Sequence, residues 1–376
     1  MTEQFRIHKT SSLPLHLQLL DELRHNIKNG VLHPHDRLPG EWELVESLGI
    51  SRATIQKAWQ AAQDEGLIYR IAGKGTFVSP PADAPGRGIV GILLPEYRGT
   101  FSVNLLNGLE RVLRKSGFRV QLASTDRDLE EESMLLQNLL NDNASGCILV
   151  PARAESSASR SIAEAARRMP LVLMDRPING LVLPCVCSHH YEGGVQAMEH
   201  LTGLGHRRVL FVSRPHLDLW SVSERYRAYQ DVLRRINAEP MPPCLIGAAR
   251  ELSSYETYAE LDLAEFAPLL DILSGADDQR PTAIFAVNDW IAFKVQQALN
   301  AAERRVPEDV SLIGFDDLDI AQFQDPPLTT IAQNGYLIGA EAARRLITRI
   351  EGDASESIFT LIPTRLVQRR STASVT

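Results

Sequence analysis

Between Leu13 and Asn29, Leu15, Leu19, Leu23 and Ile27 recur at every fourth residue and Gly30 follows, which predicts a helix ending at the glycine. Residues 38 to 57 read as two short helices joined by a tight turn at Gly49. Ser51 is placed to cap the second of these, and Ile50 with Ile55 to form a hydrophobic staple that fixes its entry angle. From there Ile55, Ala58, Trp59 and Ala62 fall on one buried face. Ala53, Gln56, Lys57 and Gln60 fall on the opposite face, with Arg52 free at the first turn. Leu67–Ile71 and Thr76–Ser79 are strand-like runs around Ala72-Gly73-Lys74-Gly75, a hairpin with glycines at its turn. Three helices and a hairpin make a winged helix-turn-helix. Such a unit offers the start of its recognition helix to a DNA major groove, and here it would set Gly73 and Lys74 beside the sugar-phosphate backbone.

Pro80, Pro81 and the run Ala82-Asp83-Ala84-Pro85-Gly86-Arg87 make residues 80–87 a linker by composition, dividing a DNA-binding domain at 1–79 from a second region at 88–376. Past the linker, apolar runs such as Ile89–Leu94, Cys147–Val150, Leu171–Met174, Arg208–Val212, Ala283–Val287 and Ser311–Phe315 alternate with amphipathic stretches. That alternation predicts an α/β fold of parallel sheets covered on both faces, with too many units for one sheet. Two lobes with a cleft between them follow, and ligands of such folds collect at the carboxyl ends of the strands. Asp175, Asn288, Asp289, Asp316 and Asp317 stand directly after predicted strands, and Arg225 lies one turn into a helix. An Arg, an Asn and two Asp in one cleft can clamp vicinal hydroxyls, the carboxylates accepting and the guanidinium donating in a fork. An aromatic such as Phe101 can cover the apolar face of a sugar or base.

Two resemblances sharpen this reading. Pro14-Leu15, Leu38-Pro39, Glu41, Gly49-Ile50-Ser51-Arg52-x-Thr54-Ile55, Glu65-Gly66-Leu67-Ile68 and Gly73-x-Gly75-Thr76-Phe77-Val78 resemble the DNA-binding domain of the GntR family of bacterial regulators. The likeness implies DNA contacts from Ser51, Arg52, Ala53, Thr54 and Gln56 and from Gly73; Lys57 and Lys74 are added as charges on the same surfaces. Gly40 stands where Ser is usual, Trp42 where an Arg often touches DNA, and Gln56 where another Arg is common. His200-Leu201-x-x-Leu204-Gly205-His206-Arg207-Arg208-Val209, Ser221-Val222-Ser223-Glu224-Arg225, Val287-Asn288-Asp289, Val306-Pro307-x-Asp309-Val310-Ser311-Leu312-Ile313-Gly314-Phe315-Asp316-Asp317 and Pro327-Leu328-Thr329-Thr330-Ile331 resemble the effector domain of the LacI family, related to periplasmic sugar-binding proteins. That likeness implies a two-lobed periplasmic-binding-protein-like domain with ligand contacts from Phe101, Asp175, Arg225, Asn288, Asp316 and Gln333. His189-His190 departs from the Asp-Asn usual there, and the proline linker replaces the family's hinge helix.

The remaining composition bounds the function. The net charge is −8, and residues 1–79 hold nine Lys or Arg against nine Asp or Glu, so DNA binding rests on where charges sit and not on a basic excess. No apolar run approaches a membrane span, and the N-terminus lacks a signal-peptide pattern; a cytoplasmic protein is expected. Cys147, Cys185, Cys187 and Cys244 have no metal-ligand spacing and are expected to be reduced and buried. His189, His190 and Glu192 are too few to hold a metal, and no catalytic motif appears. The expectation is a non-enzymatic, homodimeric repressor without a cofactor, binding operator DNA and controlled by a small polar metabolite, foremost a sugar. The alternatives are a nucleobase or nucleoside effector, or an enzyme fused to a DNA-binding head. The second would need a cofactor-bound lysine, and after residue 87 only Lys115 and Lys294 occur, neither in a cofactor motif.

Overall fold

The computed structural model describes residues 5, 7, 13–34, 36–65, 67–71, 75–79, 87–96, 99–152, 159–215, 217–247, 263–276, 279–352 and 358–375. The chain divides into two compact units, Met1–Gly86 and Arg87–Thr376. Residues 72–74 at the hairpin turn and 80–86 of the linker lie outside the described residues, so Gly73 and Lys74 receive no structural account.

In the first unit, α1 (Leu15–Lys28), α2 (Glu41–Leu48) and α3 (Arg52–Asp64) precede the antiparallel strands β1 (Ile68–Ile71) and β2 (Gly75–Val78). The recurring apolar positions form its core: Leu19, Leu23, Leu44, Ile55, Ala58, Trp59 and Ala62 are fully buried, closed by Ile68 and Val78 of the hairpin. Gly49 ends α2 at φ 61°, the left-handed region where a side chain is costly. Ser51 Oγ accepts the Thr54 amide at 3.2 Å and caps α3, while Ile50 and Ile55 are both buried as a staple requires. At α2 only half of a capping box exists: Glu43 Oε2 accepts the Gly40 amide at 3.0 Å, and Gly40 has no side chain to return the bond.

The second unit holds two parallel sheets. The first has the order β13-β7-β6-β5-β3-β4, built from β3 (Ile89–Leu94), β4 (Arg119–Ser124), β5 (Gly146–Leu149), β6 (Leu171–Met174), β7 (Cys185–Ser188) and β13 (Phe359–Ile362). The second has the order β11-β10-β8-β9, from β8 (Val209–Ser213), β9 (Cys244–Leu245), β10 (Ala283–Ala286) and β11 (Ser311–Ile313). The strands β3, β5, β6, β7, β8, β10 and β11 are buried along their length because both faces are covered, whereas the edge strands β4 and β13 are largely exposed. Ile92, Ile148, Val172 and Val186 pack on one face of the first sheet, and Leu93, Cys147, Leu149, Leu171, Leu173 and Cys187 on the other. All four cysteines are buried free thiols. The chain leaves the first lobe after β7, builds the second, and comes back as a helix at Gly335–Ile350 and as β13. The returning helix crosses α4 (Gly99–Lys115) very closely, since a Cβ on Gly108 would lie 2.1 Å from Tyr336 O and one on Gly339 2.1 Å from Leu105 O. A short antiparallel pair, β12 (Thr330–Ala332) with β14 (Arg365–Val367), lies between the last crossings.

Candidate functional site

On the first unit, Ser51, Arg52, Ala53, Gln56 and Lys57 are exposed along the start of α3, with Thr54 half-buried beside them. Glu41, at the first position of α2, gathers this surface. Its Oε2 accepts from Arg52 Nε at 2.8 Å and from Gln56 Nε2 at 3.0 Å, and its Oε1 lies 3.5 Å from Arg70 Nη2. The Arg52 hydrogen bond, helped by Gln56 and Arg70 and opposed by partial burial, holds the Glu41 carboxyl below its ordinary range. Trp42 is 64% exposed and its ring centroid lies 5.2 Å from the Arg52 guanidinium. Sequence reasoning gave Glu41 no role beyond its place in a motif.

In the second unit all six residues named from sequence as ligand contacts line one cavity of about 320 Å³. Phe101 and Asp175 come from the first lobe, Arg225, Asn288 and Asp316 from the second, and Gln333 from the crossing between them. The cavity lies at the carboxyl ends of β3, β5, β6, β8 and β10. Arg225, in α8 (Trp220–Arg235), is 5% exposed and heavily constrained. Its Nη1 donates to Val287 O at 2.7 Å, its Nη2 lies 3.2 Å from His190 Nδ1 and 3.4 Å from Asp316 Oδ1, and its guanidinium sits 3.7 Å above the Phe315 ring. Gln333 Nε2 donates to the same Asp316 Oδ1 at 2.6 Å. Burial pushes the Asp316 carboxyl up to about 6, against the pull of Arg225 and Gln333. Asp175 and Asp316 take positive φ of 69° and 118°, which turns each side chain sharply after its strand. Asn288 caps α10 (Asp289–Ala301), its Oδ1 accepting the Ile291 amide at 2.9 Å, and still reaches the wall.

Two acids grouped with these from sequence do not reach the cavity. Asp289 is fully buried behind it, accepting from Thr330 Oγ1 at 2.5 Å and from the Leu318 amide at 2.8 Å. Burial, with Asp316 nearby, drives its carboxyl well above the ordinary range. Asp317 faces away and pairs with Arg369 at 2.7 Å. Conversely, the wall includes Glu96 paired with Arg127 at 2.7 Å, Arg176 on Asp175 at 3.0 Å, and Arg214, none of which sequence reasoning singled out. They sit on loops after strands, where their only signal is position. His189 caps α7 (His190–Gly203) through its Nδ1, and His190 points inward and is buried. Among the described residues no group of three His, Cys, Asp or Glu could hold a metal ion, and no helix is long and apolar enough to cross a membrane.

Residues 15–78 match the gntR family of bacterial regulatory proteins. Residues 87–246 match the periplasmic binding proteins and sugar-binding domain of the LacI family, and residues 198–372 a periplasmic binding protein-like domain. An arabinose metabolism transcriptional repressor of Geobacillus stearothermophilus is 30% identical over 380 residues, covering 98% of this chain and 100% of the relative. The regulator CelR in its cellobiose complex is 26% identical with a TM-score of 0.65, covering 86% of this chain and 91% of that one. A LacI family regulator of Enterococcus faecalis V583 with bound ribose is 28% identical with a TM-score of 0.62, covering 77% of this chain and all of that one.

Proposed function

The chain belongs to the gntR family of bacterial regulatory proteins, in the form that joins the DNA-binding head to a LacI-type periplasmic-binding-protein-like domain, and we propose from that premise that its effector is a sugar. It is a ligand-responsive transcriptional repressor. The observation that carries the sugar reading is the convergence of Phe101, Asp175, Arg225, Asn288, Asp316 and Gln333 on one cavity. Their chemistry suits a polyhydroxylated ring: carboxylates accept from hydroxyls, the guanidinium and amides donate, and Phe101 offers an apolar face. A relative named for arabinose metabolism and solved relatives holding cellobiose and ribose support it.

In this reading Ser51, Arg52, Ala53, Thr54, Gln56 and Lys57 meet operator DNA, and Gly73 and Lys74 follow its backbone at the wing. Two copies of the chain bring two recognition helices to a palindromic operator. The sugar favours one arrangement of the lobes and thereby shifts operator affinity, and operator binding shifts sugar affinity by the same factor. Thermal unfolding with L-arabinose, D-ribose, cellobiose and a set of nucleosides, alongside Asp316→Ala, tests the reading. A sugar at about 100 times its Kd stabilises the sensor by roughly 2.7 kcal/mol. Stabilisation by a sugar that is lost in Asp316→Ala is the expected result. A nucleoside hit, or a sugar hit that survives the substitution, would overturn it.

A further inference from the structure

The ligand-facing guanidinium of Arg225 rests on a histidine that does not itself line the cavity. His190 is 1% exposed, first residue of α7, immediately after the chain crosses from the first lobe to the second. Its Nδ1 lies 3.2 Å from Arg225 Nη2. A guanidinium has only donors, so Nδ1 must be the acceptor, and a neutral ring then carries its proton on Nε2. Burial first, then the charges of Arg225, Arg176 and His189, holds the imidazole well below its ordinary range, in keeping with a neutral ring. The ring cannot easily turn. Trp220 meets it edge to face at 5.4 Å and 78°, Phe315 lies against it at 5.8 Å, and Phe315 is the same ring on which the Arg225 guanidinium stacks. Among the described residues the buried Nε2 has no hydrogen-bond partner, and the ring's contact to Arg225 is made through Nδ1.

We propose that His190 is a positioning residue for ligand binding: as a neutral acceptor wedged between Trp220 and Phe315, it fixes the rotation of the Arg225 guanidinium so that the fork faces the cavity. Two other contacts of that group bear on how firmly it is held. Val287 O holds Nη1, while the 3.4 Å contact between Nη2 and Asp316 Oδ1 is long and shares its carboxylate with Gln333 and with any ligand hydroxyl. His190 does not line the cavity and keeps Nη2 oriented whichever partners Asp316 takes. This inference rests on the sugar-binding reading of the cavity.

The test compares His190→Leu, which keeps bulk and removes the acceptor, with His190→Asn and His190→Gln, which restore an acceptor oxygen, and with Arg225→Ala as the control for the cavity. In the ligand-free full chain, the Arg225 Nη–H resonances in the 15N spectrum report how fast the guanidinium turns. They are expected to be resolved in the wild type and in at least one amide variant, and averaged in His190→Leu. Resolved signals in His190→Leu would overturn the brace, whatever the ligand. With whichever of L-arabinose, D-ribose and cellobiose binds the wild type, His190→Leu is expected to weaken affinity about tenfold or more, with at least one amide variant within a few-fold of wild type. Arg225→Ala binding as wild type would instead overturn the cavity reading, and an inactive Arg225→Ala beside a wild-type His190→Leu would overturn the brace alone. Equal loss in His190→Leu and both amide variants would show a packing role and likewise overturn it.

Discussion

Glu41 and Arg52 face each other across the helix-turn-helix, Oε2 to Nε at 2.8 Å, so a residue that would meet DNA is already paired with an acid in the free protein. The pair is half-exposed, and its contribution to stability is small, within about 1 kcal/mol. Its effect lies in binding. Arg52→Ala is expected to weaken operator binding by about 1–3 kcal/mol if the guanidinium reads a base. Glu41→Ala removes an acid from the surface proposed to face DNA and lets Arg52, Gln56 and Arg70 move. It is expected to raise affinity for random duplex, steepen the salt dependence and narrow the gap between operator and random sequence. Fluorescence anisotropy with both duplexes at several salt concentrations measures this, and an unchanged ratio of the two affinities would show that Glu41 does not orient its partners.

Asp316 predicts a pH dependence of ligand binding. Its carboxyl titrates at about 6 in the free protein because burial outweighs the help from Arg225 and Gln333. Ligand hydroxyls bind best to the ionised form, so sugar affinity should be constant well above pH 6 and fall as pH drops through it, approaching tenfold per unit below. Calorimetric titrations between pH 5 and 8 measure the profile, roughly centred on that pKa. Asp316→Asn should bind more weakly with no such fall, and a flat wild-type profile would mean that Asp316 does not accept from the ligand.

The head was legible because its determinants are local: a four-residue apolar repeat, a glycine at φ 61°, a serine cap and its staple lie within a few residues of one another. Of the lobe strands, β3, β5, β6, β8, β10 and β11 were legible as apolar runs. The helix Gly335–Ile350 was not, because its buried face includes Gly335, Gly339, Ala340, Ala342 and Ala343, small residues chosen for close approach to α4 and nearly silent in a hydrophobic pattern. The strands β7, β12, β13 and β14 are three or four residues long, and β13 finds β7 only after the whole second lobe has been made. At the site, Arg225, Asn288 and Asp316 stood in recognisable surroundings. The placing of Asp289 behind the wall, the turn of Asp317 toward Arg369 and the brace at His190 depend on backbone angles and distant partners that no spacing encodes.

The crossing at Gly339 predicts that packing far from the ligand controls the site. A Cβ there would sit 2.1 Å from the backbone oxygen of Leu105, so α4 and its partner must separate. Gly339→Ala is expected to cost about 1–3 kcal/mol, lowering Tm by several degrees. Phe101 lies in the first turn of α4, and Gln333 lies just before the partner helix, so the same separation should weaken sugar binding. Thermal unfolding and calorimetry on the one variant test both effects, and a wild-type Tm would contradict the close crossing.

Glu132 predicts how stability itself depends on pH. It lies in α5 (Leu129–Asn141), is fully buried, accepts the Ala152 amide at 2.7 Å with one oxygen, and among the described residues has no partner for the other. Desolvation raises its carboxyl to about 7, with the Ala152 hydrogen bond opposing. The folded state therefore binds this proton more tightly than the unfolded chain, where the group titrates near 4.5. The sign follows: the contribution is fully present below about pH 4.5 and is lost as pH rises through about 7, by at most roughly 3 kcal/mol. Glu132→Gln keeps an acceptor for Ala152 without the charge. It should be more stable than the wild type at pH 8, with the difference shrinking toward pH 5. Urea unfolding of both proteins across that range measures it, and a difference that does not change with pH would place the burial cost elsewhere than in the ionised carboxylate.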